Sequence, residues 1–88
     1  MSIESRNQER NPTPQDLQNL TIRVDNLGRG DFVHDINGYM SNLHAVMEIA
    51  KEKGWTDDYL EIWRRNVGEI DRIIVQVKLD QAKEKGLL

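Results

Sequence analysis

The stretch Asp31-Phe32-Val33-His34-Asp35-Ile36-Asn37-Gly38-Tyr39-Met40-Ser41-Asn42-Leu43-His44-Ala45-Val46-Met47-Glu48-Ile49-Ala50-Lys51-Glu52-Lys53-Gly54 decides the fold. Within it Val33, Ile36, Met40, Leu43, Met47 and Ala50 recur at 3-4-3-4-3 spacing. That period places all six on one face of an α-helix. Phe32, Tyr39 and Val46 widen the stripe. Asp31 suits an N-cap, Lys51 and Lys53 complement the negative end of the helix dipole, and Gly54 supplies a stop. The pattern predicts a long amphipathic helix over about residues 31–53.

The same pattern returns downstream. Thr56 can cap, Asp57 and Asp58 sit in the first turn, and Leu60, Trp63, Val67, Ile70, Ile74 and Val77 again follow at 3-4-3-4-3 spacing. A helix over about 57–84 is expected, closed by Lys83, Lys85 and Gly86. Glu61 with Arg65 and Glu69 with Arg72 are placed to form ordinary surface ion pairs. So few residues separate the two long helices that they must fold back as an antiparallel hairpin, the first arm roughly 34 Å long at 1.5 Å per residue. Trp55 and Trp63 read as packing at the hairpin end and in the core. Gly38 and Gly68, inside helices, read as points of close helix approach.

Upstream, Thr13-Pro14-Gln15-Asp16 has the form of a helix start, with Thr13 as N-cap and an acid three residues on. Leu17, Leu20, Val24 and Leu27 then follow at 3-4-3 spacing. The same segment also alternates Leu20, Ile22 and Val24 with polar residues, a strand period. Cap and stripe together favour a short helix over about 14–27. Residues 1–12, polar and without periodicity, read as a disordered tail, leaving 13–88 as a single helical domain.

Composition narrows the function classes. The chain has 88 residues, 12 Lys or Arg, 15 Asp or Glu, no cysteine, and a formal charge of -3. Thiolate metal sites, thiol nucleophiles and disulfides are excluded. An acidic balance argues against a phosphate-neutralising nucleic-acid surface, and no apolar run approaches a membrane span. The expectation is a cytoplasmic protein with no cofactor, no bound metal, and no nucleic-acid or membrane partner. So short a chain buries only about 60% of its unfolded surface, and Ile62, Ile70, Ile73 and Val75 make the last helix apolar around more than one seam. An all-α hairpin pairing with a second copy into a four-helix bundle is the preferred architecture. A single-chain three-helix bundle, with the first helix folded back, is the alternative.

One constellation has chemical interest. His34 stands beside the core stripe at the start of the long helix, and an imidazole there can act as a nucleophile or proton carrier near neutral pH. Asp35 follows directly, a carboxylate able to take the Nδ1 proton. His44, four residues before Glu48, has a ligand-like spacing but lacks a third donor, and reads as a half-buried bundle histidine. Arg29-Gly30-Asp31 and the sequon Asn19-Leu20-Thr21 read as accidents in a chain without a secretory signal.

The run His34-Asp35-Ile36-Asn37-Gly38-Tyr39-Met40-Ser41-Asn42-Leu43, followed by Met47-Glu48-Ile49, resembles the H-box helix of two-component sensor histidine kinases. Glu69-Ile70-Asp71-Arg72-Ile73-Ile74 is similar to part of the second helix of the same dimerisation and histidine-phosphotransfer domains. The resemblance covers about residues 31–80. It implies a homodimeric bundle in which His34 accepts a phosphoryl group and passes it to a receiver-domain aspartate, assisted by Asp35. The implied partners are a receiver domain or a histidine kinase. Tyr39 replaces the proline many members carry, and Gly38 replaces a Thr or Asn that many use to direct water. These 88 residues hold no room for an ATP-binding catalytic domain, so no self-contained catalytic activity is expected. The other function class that fits is a non-catalytic helical regulator, adaptor or inhibitor acting by protein–protein binding.

Overall fold

The computed structural model describes residues 11–87. It is all-α: α1 spans Pro14–Asp25, α2 Phe32–Lys53 and α3 Asp57–Glu84. The expected disordered tail falls largely outside the described residues.

α1 starts where its cap predicts. The Asp16 amide donates to Thr13 Oγ1 at 3.3 Å and the Thr13 amide donates to Asp16 Oδ2 at 2.8 Å, a complete capping box. The helical reading prevails over the strand reading because the 3.6-residue period buries the right side chains. Leu17 and Leu20 are 7% and 5% exposed, whereas Ile22, which a strand would set on the same face as Leu20, is 50% exposed. α1 ends at Asp25, two residues short of the expected boundary. Leu27 is buried from the turn instead, and its carbonyl accepts from Gln81 Nε2 of α3 at 3.1 Å. Gly28 follows with φ 84°, in the left-handed region that suits glycine.

α2 begins at Phe32, with Asp31 at the N-cap position that the sequence assigns it. Asp31 has helical dihedrals already and its side chain makes no capping hydrogen bond, because the chain enters through a turn in which Val33 N–H donates to the Gly30 carbonyl. Gly54, with φ 86°, closes α2 by donating to the Ala50 carbonyl at 2.8 Å. α3 has the expected bounds, capped by Thr56 Oγ1, which accepts from the Tyr59 amide at 3.2 Å.

α2 and α3 form the antiparallel hairpin, with Ile36, Leu43 and Ile70 fully buried between helices. Asn42 Nδ2 donates across the seam to Asn66 Oδ1 at 2.9 Å. α1 folds back onto one side of the hairpin, and Leu17, Leu20 and Leu27 join the same core. Arg23 Nη2 of α1 stands 3.0 Å from Asp71 Oδ1 of α3, an ion pair without hydrogen-bond alignment. The three helices therefore share one core within a single chain. Trp55 and Trp63 pack edge to face at the hairpin end, ring centroids 5.9 Å apart. Surface pairs Glu61–Arg65 and Glu69–Arg72 form at 3.0 and 3.4 Å.

The two helix-interior glycines do not mark close approaches. A Cβ added at Gly38 or Gly68 meets nothing within 4 Å, so neither allows a neighbouring helix in. Both lie on outer faces, where glycine only weakens the helix. Among the described residues, no helix is long and apolar enough to cross a membrane.

Candidate functional site: a surface dent at His34

His34 lies in the first turn of α2, its amide donating to the Asp31 carbonyl at 3.3 Å. Its side chain is exposed, on the outer face of α2 rather than at the margin of the core. Around it is an open dent lined by His34, Asp35, Gly38, Tyr39 and Asn42. The origin of the dent is local. His34, Gly38 and Asn42 form one i,i+4 row along the helix surface, and the middle member has no side chain. The imidazole thus has an empty berth on the C-terminal side, with the Asn42 carboxamide beyond it.

Asp35 is exposed and contributes to the same dent. Successive helical residues differ by about 100° in direction and do not face each other. No hydrogen bond between the two side chains is present, so in this conformation the carboxylate borders the imidazole rather than gripping it. The dent is open to solvent and cannot exclude water. Chemistry here depends on a second molecule closing over it.

His44 is exposed instead of half-buried as the sequence suggested. It lies at a shallow groove between α1 and α2, with Leu17, Thr21 and Met47 among the residues lining it. Among the described residues, no group of three His, Cys, Asp or Glu is placed to hold a metal ion.

Sequence reading passed over the Asn42–Asn66 bridge. Asn66 is only 8% exposed and also donates to the Ile62 carbonyl at 2.7 Å. Its signal was present: position 66 lies between Trp63 and Ile70 on the inner face, where a polar residue must find partners. No family model matches the chain, and no curated protein or solved structure is detectably similar to it.

Proposed function

We propose that this chain is a small helical signalling module that receives or relays a phosphoryl group at His34, handed over by a receiver domain or a histidine kinase. The observation that carries this reading is the accessible imidazole beside the berth left by Gly38, open to an approaching aspartyl phosphate. A nitrogen of His34 would take the phosphoryl group as its bond to the donor oxygen breaks, and transfer to the next aspartate would reverse the step. Asp35 would assist by accepting the imidazole proton after a rotamer change, which its exposed position permits.

The test is incubation with phosphorylated receiver domains, scoring an acid-labile, base-stable phosphate on the chain. Labelling that disappears in His34→Gln, and falls in Gly38→Leu while helicity is kept, supports the relay. Absence of labelling by every phosphorylated receiver and kinase tried sinks it.

A second reading, a non-catalytic module acting by protein binding, is favoured by the exposed Ile49, Ile62, Val75 and Leu79. It predicts that substitutions at these aliphatic residues, and not at His34, abolish the biological effect.

A further inference from the structure

The solvent side of α3 has an order of its own. Arg65, Gly68, Arg72, Val75, Leu79 and Ala82 follow at 3-4-3-4-3 spacing and so share one helix face, opposite the buried row of Asn66, Ile70, Ile74 and Val77. Val75 and Leu79 are 57% and 43% exposed, with Arg72 one turn before the pair and Lys83 one turn after it. Measured from the midline between Val75 and Leu79, the cations Arg64, Arg65, Arg72 and Lys83 all lie within about 60° round the helix. Asp80 and Glu84 lie about 120° and about 160° away. The acids nearer the midline are engaged: Glu61 with Arg65, and Asp71 with Arg23 of α1. Glu69 reaches Arg72 from the side in an exposed pair of the kind that contributes little and exchanges readily. Arg64 and Lys83 form no ion pair among the described residues. In a chain of formal charge -3, this face is a local inversion, with cations at both ends and aliphatic side chains between them.

We propose that this face docks an acidic amphipathic helix of another protein, with aliphatic residues at i and i+4 against Val75 and Leu79 and an acid beyond each of them, facing Arg72 and Lys83. Charge complementarity selects the occupant. A second copy offering the same face would set cation against cation. A nucleic acid would find no aromatic ring on the face for a base to stack on, and an aliphatic pair where its phosphates need cations. A bilayer surface calls for a broad apolar stripe, and here Val75 and Leu79 alone stand out. An apolar centre inside a charged rim is the anatomy of a protein contact, and i,i+4 spacing is the register in which a helix reads another helix.

The contact gives the protein-binding reading, on which it rests, a definite surface. It is independent of phosphoryl transfer, because no residue lining the His34 dent belongs to this face. The row from Arg65 to Ala82 runs about 26 Å at 1.5 Å per residue. One helix lying on another over that length makes a small interface, so the complex should be weak, short-lived and sensitive to salt.

Fluorescence anisotropy of a labelled synthetic helical peptide, titrated with the full chain at low salt, tests this directly. The peptide carries Leu at i and i+4 with Glu one turn outside each, on a background of Ala and Gln. Saturable binding is expected, weakened by about tenfold or more when the peptide's leucines become Gln or its glutamates become Lys. Val75→Lys in the chain should weaken binding as much, with far-UV circular dichroism unchanged. Arg72→Glu combined with Lys83→Glu should reverse the preference, so that the Lys peptide binds better than the Glu peptide. Equal binding of the leucine-free peptide would reduce the contact to charge alone and overturn the proposal. So would the absence of saturable binding at about millimolar concentration, or tighter binding to phosphatidylserine vesicles or duplex DNA that Val75→Lys abolishes. Loss of binding in Ile49→Lys and Ile62→Lys, but not in Val75→Lys, would refute this surface while leaving the protein-binding reading intact.

Discussion

Replacing Asn42 with Ala should destabilise the fold far more than its exposure suggests. The Asn42 side chain is solvent-exposed, and an exposed helical Asn→Ala change ordinarily gains about 0.5 kcal/mol of helix propensity. Here the same change removes the donor to Asn66 Oδ1, an acceptor on a residue only 8% exposed. Leaving a buried acceptor without a partner costs about 1–3 kcal/mol. The desolvation cost exceeds the propensity gain, for a net loss of about 0.5–2.5 kcal/mol, or a fall in Tm of roughly 2–20 °C for a chain of this size. Asn66→Leu removes the buried acceptor itself. In that background Asn42→Ala should be neutral or slightly stabilising. Urea denaturation followed by far-UV circular dichroism closes the double-mutant cycle. A coupling energy below about 0.5 kcal/mol would refute the reasoning.

Two further substitutions probe the packing. Gly68→Ala should stabilise by about 1 kcal/mol, since the added methyl meets nothing within 4 Å and the helix gains propensity; a lower Tm would show a close neighbour after all. Leu43→Ala, at a fully buried position between α2 and α3, should cost about 2–5 kcal/mol in urea denaturation, and a loss under about 1 kcal/mol would contradict the placement of the core.

The three helices were legible because each advertises itself twice, in a 3.6-residue apolar stripe and in chemistry at its ends. Thr13 with Asp16, and Thr56 before two acids, set starts that the structure reproduces. Asp31 takes the N-cap position but makes no capping hydrogen bond, because N-cap preference is only a preference. A chain that enters through a tight turn already satisfies the first amides with backbone carbonyls. The α1 boundary slipped because Leu27 is buried, as its stripe position demands, but from a turn: burial does not distinguish the last helical turn from the residue after it. The glycines misled for a different reason. Close approach is a property of two helices, and Gly38 and Gly68 say nothing about where the neighbour runs. Of the candidate site, the sequence supplied His34 and Asp35 but not the dent. The dent arises from an i,i+4 row interrupted by Gly38, and the bridge at its far end joins residues 24 positions apart, beyond any local pattern.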